Sequence, residues 1–130
     1  MKAYQELATT FGRIGALGDA EGVLHWDMSV MMPPGGADAR AEQIAALKLS
    51  GHAMLTDDRV GDLLSEAEQA PPVDPWQAAN VREMRRLWRH ATAVDARLVE
   101  AISKASSRCE MIWREARPKS DFYAVSASLG

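Results

Sequence analysis

Apolar residues recur at intervals of three and four along almost the whole chain, the spacing that gathers them on one stripe of an α-helix. Tyr4, Leu7, Ala8, Phe11, Ile14 and Leu17 form the first stripe. Gly12, Gly15 and Gly18 interrupt it, each costing about 0.8–1.0 kcal/mol relative to alanine. A kink or break is therefore expected at Gly18-Asp19, with Asp19 capping a second segment through Val23, Leu24 and Trp26. That segment has to end by Met32, because Pro33 and Pro34 lack amide donors and Pro33 pushes Met32 out of the α region. Gly35 and Gly36 then allow positive φ and a sharp reversal. Helix resumes near Ala37, with Ala41, Ile44, Ala45, Lys48, His52 and Leu55 on one face.

The second half reads the same way. Thr56 or Asp57 caps a helix whose apolar side is Val60, Leu63, Leu64 and Ala67 and whose outer face is acidic. In "PPVDPWQ", Asp74 suits an N-cap, Pro75 the first helical position and Gln77 the reciprocal place in a capping box. The helix that follows runs to about Ala91, and its pattern predicts burial of Trp76, Ala79 or Asn80, Met84, Leu87 and Ala91. After a joint at Val94-Asp95, the residues Leu98, Ile102, Ala105, Cys109, Ile112 and Ala116 alternate spacings of four and three, a coiled-coil-like seam. Pro118 ends it, and "SDFYAVSASLG" begins one more helix. No strand-like alternation and no internal repeat is present. The fold class is all-α: an irregular antiparallel bundle of about five or six helices, in one helical domain over residues 1–130.

Composition changes this picture little. Hydrophobic residues make up 47% of the chain and charged residues 25%, which excludes a disordered or collagen-like polypeptide. A net charge of −3 offers no general attraction to nucleic acid or anionic lipid, so neither partner is expected. The lone Cys109 cannot form an internal disulfide and suits the cytoplasm. No secretion signal and no apolar stretch long enough to span a membrane is found.

Candidate chemistry is sparse. His25, His52 and His90 have no histidine partner one helical turn away, and His25 and Asp27, two apart, point to different faces. Cys109 lies on the seam and is expected to be a small core thiol, not a nucleophile. Arg82, Arg85, Arg86, Arg89 and His90 surround Trp88, a composition seen on nucleic-acid surfaces. The acidic helix before them, with Asp57, Asp58, Asp62, Glu66 and Glu68, supplies the simpler explanation of a solvated ion-pair network. The stretch "HWDMSVMMPPGGADAR" combines a rigid proline corner with a soft apolar wall of Trp26, Met28, Met31 and Met32. It works as a helix-to-helix turn, and Asp27 is placed to accept hydrogen bonds from backbone amides or Arg40 around it.

The order of these pieces carries a resemblance. W-D-x-x-V-M-M-P-x-G-G followed by A-R-x-x-Q, here Trp26, Asp27, Val30 to Pro33, Gly35, Gly36, Ala39, Arg40 and Gln43, is similar to the N-terminal region of the carboxypeptidase Taq family of zinc metallocarboxypeptidases. W-R-E-A-R at Trp113 to Arg117 supports it, and the likeness covers essentially the whole chain. The resemblance implies a largely helical, cytoplasmic, commonly dimeric hydrolase that removes C-terminal residues from peptides. Zinc or another divalent metal would be held by H-E-x-x-H and a later glutamate, with the motif's own glutamate activating metal-bound water. No residue of this chain matches those ligands or that base, so no catalytic residue, metal ligand or cofactor is assigned within it.

The expectation that follows is an N-terminal helical portion of such an enzyme, about its first quarter, inactive alone. Trp26, Asp27, Met32, Pro33, Gly35, Gly36 and Arg40 form its structural or groove-shaping motif. Its partners are the catalytic portion or a second copy of itself, and peptide substrate belongs only to the complete enzyme. Apolar surface in the Trp26–Met32 region and on the Tyr4–Leu17 stripe is expected to seek such a partner. The alternative is a free-standing interaction module that binds a partner helix through the Leu98–Ala116 seam.

Overall fold

A computed structural model describes residues 2–130. Six α-helices occur among them: α1 (Lys2–Val30), α2 (Ala37–Leu55), α3 (Asp58–Gln69), α4 (Pro75–Thr92), α5 (Ala96–Ala116) and α6 (Phe122–Leu129). Short 3-10 turns at Pro34–Gly36 and Arg117–Lys119 lead into α2 and out of α5. No strand occurs among the described residues, so the fold is the all-α bundle that the periodicity predicts. No helix is long and apolar enough to cross a membrane among the described residues.

The first helix is not broken at Gly18-Asp19; it runs through all its glycines as one element of 29 residues. A glycine lowers helix stability but removes no hydrogen bond, whereas proline does. Both ends of α1 are anchored by burial, Leu7 near one and Met28 near the other. That anchoring outweighs the glycine penalty between them.

Two separate cores follow from this length. Leu7 packs with Val60, Leu63, Leu64 and Ala67 of α3 and Val81 of α4, flanked by Tyr4, Phe11, Met84 and Trp88. The N-terminal stripe of α1 is therefore consumed internally by α3 and α4, and its Tyr4–Phe11 part is not the free surface that the pattern suggested. At the other end, Met28 and Met32 enclose Ile44 of α2, with Leu24, Ala37 and Met111 of α5 around them. The imidazole of His52 joins the two regions, its Nε2 lying 2.8 Å from the Val94 carbonyl oxygen and 3.1 Å from that of Ala91.

The caps in the second half form as predicted. Asp57 Oδ1 accepts from the Arg59 amide at 2.8 Å and Asp74 Oδ1 from the Gln77 amide at 2.8 Å. Gln77 Oε1 accepts in turn from Val73 N at 3.2 Å, one residue before the position a standard capping box would use. This buries Gln77 and fixes the rotation of α4. Val81, Met84 and Trp88 consequently turn toward α3, while Trp76 stays 80% exposed and Leu87 faces outward, contrary to the predicted face. Gly61 makes room for the indole: a Cβ there would lie 2.9 Å from Trp88 Cζ2.

Helix α5 is also rotated relative to its apolar seam. Ser103 and Ser107 are buried, whereas Leu98, Ile102 and Ile112 are exposed. The small serines allow α5 to lie close against α2, and Lys104 Nζ bridges the pair to Glu42 Oε1 at 3.0 Å. Apart from buried Ala116, the seam is thus left on the outer side of the helix, and Cys109 is half-buried, not a core thiol.

Between α3 and α4 the acidic and basic faces meet at one point. Arg85 Nε and Nη2 donate to Glu68 Oε1 and Oε2 at 2.8 and 2.9 Å, a bidentate pair. The other acidic side chains do not form the extended network expected; Arg59 instead reaches Glu6 and Glu66, and Arg86 pairs with Glu83 on its own helix. Hydrogen bonding from Arg85 holds the Glu68 carboxyl below the usual carboxylate range, with desolvation opposing it. A depressed folded-state pKa gives stability that is present above the unfolded value and lost as pH falls through the folded one. Glu68→Gln should therefore lower the unfolding free energy measured by urea denaturation at neutral pH by under about 1 kcal/mol, because the Glu68 carboxylate is solvated. The difference from wild type should close in acid, and a difference independent of pH would contradict the assignment.

Candidate functional site

The end of any helix leaves carbonyls without intrahelical donors and carries partial negative charge. Helix α1 has no basic residue in its last turn, yet its final carbonyls are met by cations brought from elsewhere. Within the turn itself, the Met31 and Met32 amides both donate to the Asp27 carbonyl, at 2.9 and 2.8 Å. From α2, Arg40 Nη1 donates to the Leu24 carbonyl at 2.9 Å and lies 2.8 Å from Asp27 Oδ2, while its Nε donates to Gln43 Oε1 at 3.0 Å. From α5, Arg114 Nη1 donates to the carbonyls of Met28 and Met32, each at 3.1 Å. Two guanidiniums thus clamp the corner from opposite partners in sequence.

The glycine role differs from the expectation. No described glycine has positive φ, and Gly36 sits at φ −87°, ψ −5°. The reversal is made by extended Pro33 (φ −70°, ψ 153°) followed by the 3-10 turn, whose Gly36 amide donates to the Pro33 carbonyl at 2.9 Å. Gly36 is needed for space instead: a Cβ there would lie 3.3 Å from Met32 Cγ, and Met32 is buried in the second core. The one residue with positive φ among those described is Ser120, at the turn between α5 and α6.

Of the seven motif residues, Asp27, Met32, Gly36 and Arg40 come together at the corner, whereas Trp26, Pro33 and Gly35 lie on its exposed side. Trp26 is 60% exposed, and with Val23, Val30 and Met31 it makes an uncovered apolar flank on α1. Arg114 was not singled out from the sequence. Its signal was its place in W-R-E-A-R, but nothing local shows an arginine on α5 reaching a carbonyl on α1. A second uncovered apolar feature is the groove of about 850 Å³ between α5 and α6, walled by Ile102, Trp113, Phe122 and Val125 with Cys109 along it.

Asp27→Ala should cost about 1–2 kcal/mol, since it removes the only carboxylate paired with the largely buried Arg40 guanidinium among the described residues and leaves it only neutral acceptors. Thermal denaturation checks this, and an unchanged melting temperature would remove Asp27 from the clamp.

The corner binds its own backbone; its polar groups are occupied in holding carbonyls and hold no nucleophile or paired acid and base. Nor do the described residues fit a metal: no three His, Cys, Asp or Glu side chains converge among them. His25 Nδ1 lies 4.0 Å from Glu110 Oε2 alone, and His52 is committed to the end of α4.

The sequence pattern described as carboxypeptidase Taq (M32) metallopeptidase matches residues 6–130. The chain is 37% identical over 123 residues to thermostable carboxypeptidase 1 of Thermus thermophilus, covering 92% of this chain and 24% of that protein. Among solved structures, the fold matches that of BsuCP with a TM-score of 0.92 at 24% identity, covering 99% of this chain and 26% of the other. It also matches Trypanosoma cruzi metallocarboxypeptidase 1 with a TM-score of 0.76 at 32% identity, with the same coverage. The chain spans about a quarter of the length of the relatives it matches.

Proposed function

The chain belongs to the carboxypeptidase Taq (M32) metallopeptidase family, and on that premise we propose that it is the helical scaffold of a metal-dependent carboxypeptidase that carries none of the chemistry itself. In the complete protein, a divalent metal held outside these residues would serve the removal of C-terminal amino acids from peptides. The observation that carries this reading is the match over residues 6–130 to about a quarter of each relative, in a chain whose described residues gather no metal-ligand set. The clamped corner of Asp27, Arg40 and Arg114 holds α1, α2 and α5 in register. Trp26, Pro33 and Gly35, on its outer side, shape the wall that meets the catalytic portion or the substrate groove.

The test is a chimera in which these residues replace the corresponding region of the Thermus thermophilus relative. A folded chimera that releases C-terminal amino acids from a peptide in a metal-dependent way supports the reading. A folded, metal-loaded chimera without activity overturns it.

Partnership follows from the uncovered surface. The α1 flank at Trp26 and the α5–α6 groove at Trp113 suit the catalytic portion or, without it, a second copy. Sedimentation velocity of the chain alone should show self-association that rises with concentration and weakens in Trp26→Glu and Trp113→Glu. A monodisperse monomer at high concentration would contradict it.

A further inference from the structure

A shallow groove of about 760 Å³ runs between α3 and α4 on the side of the bundle that the corner does not use. Arg82, Arg85, Arg86 and Arg89 all line it, against two carboxylates, Glu68 and Glu83. The carboxylates hold Arg85 and Arg86 respectively. Among the described residues no ion pair within 4 Å and no hydrogen bond engages the guanidinium of Arg82 or Arg89, which feel Glu83 and Glu68 only at longer range, and both side chains are exposed. In a chain of net charge −3 this is a local excess of positive charge with two unspent forks, the geometry that receives carboxylates bidentately.

The spacing narrows the ligand. Arg82 and Arg89 are seven positions apart on one helix face, about 10.5 Å along its axis, which leaves room for a carboxylate on each. Two carboxylates on alternate residues of an extended peptide share one face about 7 Å apart, within reach of two long guanidinium arms. Beyond Arg82, toward the start of α4, the groove is apolar, lined by Val81, Ala78 and Pro72, while Glu83, Arg85 and Arg86 lie between the two arginines. At that end Gln77 is buried, its Oε1 used in the cap.

We propose that the α3–α4 groove is a docking surface for an extended acidic peptide segment, with Arg82 and Arg89 gripping carboxylates and the Ala78–Val81 wall contacting the segment beyond Arg82. The proposal does not rest on the peptidase reading. Charge complementarity selects the partner, and the apolar floor separates it from a nucleic-acid strand, whose bases would want an aromatic platform. Trp88 cannot supply one, because its ring lies against Gly61 and beneath Arg85.

The test is fluorescence anisotropy of the purified chain with three labelled probes: an octaglutamate peptide, an octalysine peptide and an eight-nucleotide oligothymidylate. Saturable binding of octaglutamate that weakens with added salt is expected, with no binding of octalysine. Arg82→Ala combined with Arg89→Ala should raise the octaglutamate Kd at least tenfold, while Arg13→Ala with Arg108→Ala, which removes the same charge elsewhere, should change it less than twofold. Neither targeted side chain makes a hydrogen bond among the described residues, and an unchanged circular dichroism melt confirms that the variants compare like with like. Octaglutamate binding that is absent, or equally reduced by both double variants, overturns the proposal. Tighter binding of oligothymidylate than of octaglutamate also overturns it and gives the groove to nucleic acid.

Discussion

Leu7→Ala should lower the unfolding free energy by about 2–5 kcal/mol, the range for emptying a fully buried leucine site. Leu7 is inaccessible to solvent and is the residue through which α1 joins the α3–α4 hairpin. Ile44→Ala, at the equally inaccessible centre of the other core, should cost a similar amount. The two sites share no packing partner, so their effects should add to within about 0.5 kcal/mol in the double variant. Urea denaturation checks both values and their sum. A double variant much less damaged than the sum would mean that the long α1 does not join two independent cores.

Arg114→Ala should cost about 3 kcal/mol, because two bonds from a charged donor are lost together and two carbonyls at a helix end lose their partner. For a chain of this size that is a fall in melting temperature on the order of 10 °C. Arg114→Lys should recover only part of it. An ammonium brings the charge and the donors, but its nitrogen stops short of the place where Arg114 Nη1 meets both the Met28 and Met32 carbonyls. If Arg114→Ala melted like wild type, the clamp would be a contact without energetic weight, and the placement of α5 would have to come from the Lys104–Glu42 pair and the buried serines alone.

Local chemistry made much of this fold readable. Prolines and acidic caps mark helix ends by removing donors or accepting from amides, so Pro33, Asp57, Asp74 and Asp95 placed four boundaries correctly. The apolar face of α3 also emerged residue for residue, since its hydrophobic and charged positions alternate with little ambiguity. Rotation of α4 and α5 was not readable. Periodicity assigns the most apolar face to the interior, but α4 is turned by the burial of Gln77 in its cap, and α5 by the space that Ser103 and Ser107 open for α2. The unbroken α1 was missed because glycine counts measure propensity, while continuity depended on burial at its two ends.

At the corner, the pairing of Asp27 with Arg40 could be anticipated, being thirteen residues apart across a turn. Arg114 could not, because its partners stand 82 and 86 positions away and are main-chain oxygens that leave no sequence signature. Gly36 shows a related limit. Its need for a small residue comes from the Met32 side chain beneath it, not from its own backbone angles.

The most direct measurement pairs equilibrium dialysis of the purified chain against zinc with an assay for amino acids freed from the C-terminus of a blocked peptide. The scaffold account predicts no stoichiometric zinc at micromolar concentration and no release above the buffer rate. One tightly held zinc per chain together with metal-dependent release would contradict it.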